Sequence, residues 1–323
     1  MKAPDFWEKN NILSYLLYPI SKIYGAFIDY YNRLIQPWKP TVPVICIGNV
    51  VVGGAGKTPI AIDIGGRLKD LGFAVHFLTR GYGGRLKGPT QVELNCHSSY
   101  EVGDEPLLLA RIAPTWVARN RVSGAKAAIK AGAEVLVMDD GFQNLYIEKD
   151  LSFLVIDGEY KFGNGRLIPS GPMREPLCRA LSRTDVAVIM GGKKTGELEN
   201  SINKPVLRSQ VVPGSEISQF LNCRIAAFSG IGRPKKFFEM LKSYGLKLVF
   251  TREFPDHHQY TKKEIKKLKQ KAIDSNAVLV STEKDVIRLP KSYQEGILPI
   301  KIMVDWEDKL KVENLLKTTL EKN

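Results

Sequence analysis

The stretch IGNVVVGGAGKTP, residues 47–59, decides the fold, because it ends as a phosphate-holding loop ends and does not begin as one. The usual loop reads G-x-x-x-x-G-K-[ST]. Five places before Gly56 stands Val51, and the nearest upstream glycine, Gly48, is three places too early. The residues the chemistry needs lie later. Gly53, Gly54 and Gly56, with Ala55 between them, let backbone amides turn inward as an anion nest. Lys57 can reach the β and γ phosphates, and Thr58 can offer its hydroxyl to Mg²⁺. Pro59 suits a first helical turn, where its missing donor is no loss. The strand signal VPVICIGN (42–49) precedes the loop and a helix signal follows, whose N-terminus adds partial positive charge. The reading is a nucleotide site; the bland alternative is a chance glycine turn.

A second stretch, EVLVMDDGFQ (134–143), supports it. An apolar strand ends in Asp139 and Asp140 at the carboxyl edge of a sheet, where doubly wound sheets bind ligands. A carboxylate there can hold Mg²⁺ opposite Thr58; alternatively, one acid only caps the next segment. Together the two stretches imply a nucleoside triphosphate and Mg²⁺, and leave the acceptor open.

Working outward, strand signals at 73–79, 115–118, 134–140, 151–157, 185–190, 224–230, 246–250, 276–282 and 297–304 alternate with helical stretches. This predicts an α/β fold: a parallel sheet with helices on both faces, of the P-loop NTPase kind, plus a second smaller α/β unit. The expected division is a helical segment over 1–40, a nucleotide-binding unit over 41–150 and a second unit over 151–323. The chain's 323 residues suffice for two such units, and a hydrophobic fraction of 44% predicts packed cores. A net charge of +13 suits anionic partners without choosing among nucleic acid, phosphorylated ligands and an anionic bilayer. No aromatic-and-basic cluster of the kind that binds RNA is present, so no nucleic-acid partner is expected. The four cysteines form no C-x-x-C pair, so neither a zinc cage nor a disulfide framework is expected. The lysine-dense stretch TKKEIKKLKQKAI opens with a capping box, Thr261 and Glu264, and reads as a solvated helix face.

Residues 1–11 carry Lys2, Asp5, Glu8 and Lys9 without a cleavable apolar run, so no signal peptide is expected. Over 12–35, apolar residues recur at helical spacing with Ser14, Ser21, Lys22, Asp29 and Arg33 off that face, and Pro19 should kink or divide the helix. The charges oppose a membrane span. The tyrosines and Trp38 suit a bilayer interface. Two readings stand: an in-plane membrane contact, or a helix packed on its own domain.

A kinase also needs a group to receive or orient the acceptor's proton, and cations for the transferred charge. EVGDEPLLLARIA offers Asp104 and Glu105, with an N-cap as the plain role for Asp104. FPDHHQYT offers Asp256, His257 and His258, holding half of the chain's four histidines; a turn with solvated imidazoles is the plain alternative. Arg119, Arg121 and Arg174 are candidates to neutralise phosphate.

These residues resemble a family, the tetraacyldisaccharide 4′-kinases, which phosphorylate a lipid A precursor in Gram-negative bacteria. The resemblance rests on GNVVVGGAGKTP (48–59), TRGYGG (79–84), GDEP (103–106), ARNR (118–121), VMDDGFQ (137–143), DGEYKFGNGRLIPSGPMREP (157–176), FPDHH (254–258) and STEKD (281–285), in the family's order. It implies transfer of the ATP γ-phosphate to the 4′-hydroxyl of a tetraacylated glucosamine disaccharide 1-phosphate, giving lipid IVA. By the same resemblance the catalytic carboxylate falls on Asp104 and its partner on His257. Lys57 acts with them. Thr58, Glu105, Asp139 and Asp140 fall on metal-side positions, and Arg121 and Arg174 on phosphate or substrate positions. His258, Glu283 and Lys284 receive no role. A lipid acceptor and cytosolic ATP imply a membrane-facing surface beside the phosphate site, hence a peripheral or monotopic protein on the cytoplasmic face of the inner membrane, with no protein partner implied. The rival reading is a membrane-associated switch ATPase, whose loops resemble K-G-G-x-G-K-T; here Val52 stands where that lysine would be.

Overall fold

The structure, a computed structural model, describes residues 4–192 and 196–321. Thirteen strands appear among them: β1 (Val44–Gly48), β2 (Val75–Thr79), β3 (Thr90–Gln91), β4 (Thr115–Val117), β5 (Val135–Asp139), β6 (Leu151–Asp157), β7 (Val186–Met190), β8 (Val206–Pro213), β9 (Arg224–Ser229), β10 (Lys247–Glu253), β11 (Val278–Thr282), β12 (Leu298–Ile300) and β13 (Ile302–Trp306). They form a nine-stranded sheet, β13-β8-β7-β6-β1-β5-β2-β4-β3, and a four-stranded one, β10-β9-β11-β12. The large sheet is parallel except at its edges, where β13 and β3 run antiparallel to β8 and β4. The small sheet is all parallel.

In β1, Ile45 and Ile47 face one helical layer while Val44 and Cys46 face the other, and all four are fully buried. β5 repeats the arrangement with Val135 and Val137 against Leu136 and Met138. Parallel strands covered on both faces read as continuous apolar runs, which is why these two were legible in the sequence. Helix Lys57–Asp70 covers β1 with Ile60, Ala61, Ile64 and Leu68, a single face at helical spacing.

The expected division near residue 150 is corrected by the sheet order. β6, β7 and β8 all follow that point in sequence, and all belong to the large sheet beside β1. The small unit begins only after β8. A second correction concerns residues 297–304, which read as one strand. The chain there changes sheets at Lys301: β12 pairs with β11, and β13 with β8. Apolarity marks both pieces as strand and carries no signal of which sheet each joins. β8 itself is missing from the sequence reading, because Arg208, Ser209 and Gln210 interrupt its apolar run. The last helix, Lys309–Leu320, returns with β13 to the large unit. Its Val312 and Leu316 join the layer of helix Lys57–Asp70, and Glu313 pairs with Arg67 at 3.1 Å.

At the N-terminus the chain divides as Pro19 predicts, into helices Ile12–Leu16 and Tyr18–Arg33. They dock by their small polar side. Ser14, Ser21 and Gly25 are buried, and Ser21 Oγ donates to the Leu167 carbonyl at 2.9 Å while accepting from the Ser170 amide at 3.0 Å. Arg179 pairs with Asp29. The apolar side faces outward: Ile12 is 81% exposed, Ile23 71% and Phe27 66%. Among the described residues no helix is long and apolar enough to cross a membrane.

The displaced glycine finds its reason at the end of β1. A Cβ on Gly48 would lie 2.3 Å from Phe142 Cβ and 2.9 Å from the Phe142 amide nitrogen, so Gly48 serves a close approach to the segment after β5. Residues 50–52 then run alongside 172–174. The Val52 amide donates to the Pro172 carbonyl at 2.9 Å, the Arg174 amide to the Val50 carbonyl at 2.7 Å, and Val51 bridges Met173. Val51, 4% exposed, is thus a core residue of an added ribbon. Gly48→Ala should destabilise by about 1–3 kcal/mol, the range for forced overpacking. Thermal or urea unfolding checks this; an unchanged transition would refute the close-packing role.

Candidate active site

The loop after β1 turns on Gly53 (φ 120°) and Gly56 (φ 87°), both in a region that disfavours a side chain. Gly56 leads directly into helix Lys57–Asp70, and no side chain caps that end. The first-turn amides therefore lack internal partners and present donors and positive potential to an anion. Fully buried Asn49 sits beneath the loop. It accepts from Lys57 Nζ at 3.2 Å, and its own amide reaches the Gly53 carbonyl at 3.5 Å. Lys57 Nζ also lies 3.6 Å from Asp140 Oδ1.

β5 is the neighbour of β1, so its terminal acids face this loop. Thr58 Oγ1 donates to Asp139 Oδ2 at 2.9 Å, while Asp139 Oδ1 is buried with no hydrogen-bond partner among the described residues. Burial first, and the adjacent Asp140 charge second, push the Asp139 carboxyl up to about 7 against the pull of Lys57. Asp140 goes the other way. Burial would raise it, but Lys57 and Arg174 outweigh burial and hold it below its ordinary value. Arg174 reaches Asp140 at 3.2 Å and Gln143 at 3.2 Å. Arg121 is buried near both acids, donating to the Ala118 carbonyl at 2.6 Å. Burial, then the neighbouring Arg80, lower it to about 10.

The opposite wall forms where the small unit meets a short helix of the large unit that begins at Asp104. Asp104 opens helix Asp104–Leu109 but caps nothing; Gly103 holds the cap position. Its carboxylate, 5% exposed, instead accepts on Oδ2 from His257 Nδ1 at 2.9 Å and from Arg288 Nε at 2.5 Å. Burial pushes this carboxyl up, but the His257 hydrogen bond and the Arg288 and Lys284 charges outweigh it and keep it ionised below the ordinary range. Beside it, Glu105 pairs with Lys284, leaves Oε2 buried without a partner among the described residues, and contributes to the field at Asp139. His257 holds φ 57° and lies against the exposed Tyr82 ring at 5.5 Å. His258 turns away to Glu264 and stacks on Phe254. The units approach closely here: a Cβ on Gly232 would sit 3.4 Å from Asp256 Oδ2 and 3.9 Å from the Gly54 amide.

The structure thus gathers Gly53, Gly54, Ala55, Gly56, Lys57, Thr58, Asp139, Asp140, Arg121 and Arg174 around one sheet edge, and sets Asp104, Glu105 and His257 where the two units meet. Asn49, Gln143, Glu175 and Arg288 went unassigned in the sequence. Gln143 bridges the Asn49 carbonyl at 2.7 Å and the buried Glu175 at 3.2 Å. Gln143 and Glu175 lie inside the stretches VMDDGFQ and SGPMREP. Arg288 had no local signal beyond its place one helical turn after Asp285.

At this site two carboxylate oxygens, Asp139 Oδ1 and Glu105 Oε2, are buried without hydrogen-bond partners among the described residues. Hard carboxylate oxygen beside a hydroxyl suits Mg²⁺, which takes one or two carboxylates and completes its shell with water and phosphate. The residues present fit that ion. The cost of the buried Asp139 charge is testable. An unfolded Asp139 titrates near 3.8 and the folded one near 7, so the penalty is absent below about pH 4, grows as pH rises, and is complete above about pH 7. Asp139→Asn should therefore stabilise the protein at pH 8 by about a few kcal/mol, and hardly at pH 4. Melting temperatures at both pH values check this; an equal or absent gain would refute the buried-charge account.

Comparison with known proteins points the same way. The family model described as tetraacyldisaccharide-1-P 4′-kinase matches residues 13–321. The tetraacyldisaccharide 4′-kinase of Paramagnetospirillum magneticum is 48% identical over 309 residues, covering 95% of each chain. That of Rhodospirillum centenum is 44% identical, covering 99% of this chain and 97% of its own. Among solved structures, the "apo" form of LpxK from Aquifex aeolicus in complex with ATP superimposes with a TM-score of 0.78 at 28% identity, covering 96% of this chain and 100% of that one. A variant phosphate loop, an acid pair on the neighbouring strand and an Asp–His contact between the units occur here within a chain matched nearly end to end, so this protein belongs to the tetraacyldisaccharide 4′-kinase family.

Proposed function

We propose that this chain transfers the γ-phosphate of ATP to the 4′-hydroxyl of a tetraacylated glucosamine disaccharide 1-phosphate, yielding lipid IVA and ADP. The observation that carries the reading is the Asp104–His257 contact at 2.9 Å, set where the small unit approaches the Gly54 nest. The uncapped amides and Lys57 bind the β and γ phosphates and stabilise charge that develops there. The acceptor hydroxyl oxygen forms the new bond to γ-phosphorus as the bond to the β–γ bridging oxygen breaks. The hydroxyl proton passes to Asp104. With its pKa held low, Asp104 acts by orienting the hydroxyl and taking the proton late, which suits a loose phosphoryl transition state. His257 Nδ1–H fixes the carboxylate. Thr58 and Asp139 would hold Mg²⁺, with Glu105 as the further oxygen donor; the ion neutralises phosphate charge when bound. Asp140 keeps Lys57 and Arg174 in place, and Arg174 and Arg121 add positive field for phosphate.

The outward apolar face of residues 12–34 supports the in-plane membrane contact over packing on its own domain, since it is the small polar side that docks. An acyl-chain acceptor and cytosolic ATP then meet at the cytoplasmic face of the inner membrane.

Labelled ATP with purified lipid acceptor tests the whole reading: label should appear in lipid, whereas phosphate released only to water would favour a switch ATPase. In that assay Asp104→Asn and His257→Ala should each lower kcat by about 10²–10⁴; near-normal turnover in both would exclude the proton-acceptor role. Glutamate at the exposed positions Ile23 and Phe27 should abolish co-sedimentation with anionic vesicles and raise KM for lipid, leaving KM for ATP unchanged. Undiminished vesicle binding would rule out the membrane face.

A further inference from the structure

We propose that Arg288 is a positioning residue for phosphoryl transfer: it clamps Asp104 by one oxygen from across the cleft, so that the other oxygen is presented to the acceptor hydroxyl. This rests on Asp104 as the acceptor's carboxylate. The Arg288 side chain is fully buried on helix Glu283–Arg288, and its Nε–H meets Asp104 Oδ2 at 2.5 Å across 184 residues of sequence. His257 Nδ1 donates to the same Oδ2. Among the described residues Oδ1 accepts no hydrogen bond. Two donors converging on one oxygen fix both the position and the rotation of the carboxylate and leave Oδ1 for the proton.

The clamp is itself anchored. Arg288 Nη1 donates to the Gly230 carbonyl at 2.5 Å and to Asp285 Oδ1 at 3.1 Å. Asp285 is fully buried and saturated. Its Oδ1 also accepts from the Gly230 amide at 3.0 Å and Tyr260 Oη at 2.8 Å, and its Oδ2 from Ser229 Oγ at 2.9 Å and Thr282 Oγ1 at 2.7 Å. One carboxylate thereby ties the ends of β9 and β11 and the Tyr260 segment to the guanidinium. An arginine serving only its own unit would be satisfied by Asp285 and Gly230; the Nε contact reaches into the other unit. A planar guanidinium supplies these diverging donors in fixed geometry, which a lysine ammonium does not.

The titratable and charged groups around Asp104 are His257, Arg288 and Lys284 from the small unit, with Glu105 beside it and Asp256 behind His257 at 3.8 Å. Removing the guanidinium leaves a buried carboxylate with fewer compensating charges and one fewer donor to fix its orientation.

The test uses full-length protein with lipid acceptor in vesicles, comparing wild type, Arg288→Lys, Arg288→Ala and Asp104→Asn. Expected for both arginine variants are a kcat loss of about 10–10³-fold with KM for ATP within about threefold. Added guanidinium ion should restore part of the Arg288→Ala turnover. Arg288→Lys, the gentler change, carries the test if Arg288→Ala does not fold. In an Asp104→Asn background Arg288→Lys should add little further loss. Undiminished kcat in Arg288→Lys, no guanidinium rescue of folded Arg288→Ala, or a kcat loss that merely tracks a lowered melting temperature, overturns the proposal while leaving Asp104 in place. Normal turnover by Asp104→Asn instead overturns the reading on which it rests.

Discussion

The arrangement depends on a carboxylate held in the seam between two units. A buried charge costs several kcal/mol unless it is paired and hydrogen-bonded. Asp104 meets that cost only where the units touch, because His257 and Arg288 both come from the small unit. The same contacts that stabilise the charge aim it. Flanking pairs reinforce the seam: Glu105 with Lys284, Arg111 with Glu283 at 3.1 Å, and Asp157 with Arg233 at 2.8 Å. Most of these bonds join charged partners, so docking of the units and electrostatics of the site are one problem.

The opposite wall solves a different one. Two adjacent acids at the end of β5 repel each other, and the structure separates their fates. Asp140 is given Lys57 and Arg174; Asp139 is left buried with one open oxygen. Divergent proton affinities in neighbouring carboxyls mark different tasks. The ribbon formed by residues 50–52 and 172–174 brings Arg174 to this point, so the feature that made the loop look irregular also delivers a cation to the phosphate region.

The N-terminal segment inverts the ordinary rule for a surface helix. Serines and a glycine are buried because they hydrogen-bond to or fit against residues 167–170, while isoleucines and aromatics are left in solvent. A contiguous apolar face of this kind marks an interaction surface.

By itself the sequence determined what local periodicity and short spacing can carry. The apolar runs of β1 and β5 require burial on both faces, the Gly53–Thr58 series requires an anion nest opening a helix, and the lysine-rich helix carries its Thr261–Glu264 capping box. Those demands are set within a few residues of chain. Only the tertiary structure decided the division of units, since β6 to β8 look alike whichever sheet receives them. It also decided that residues 297–304 serve two sheets, that Gly48 answers to Phe142, and that Arg288 meets Asp104. The physical reason is common to all four: strand partners, close approaches and buried ion pairs join residues far apart in sequence, and their energies depend on geometry that no local pattern encodes.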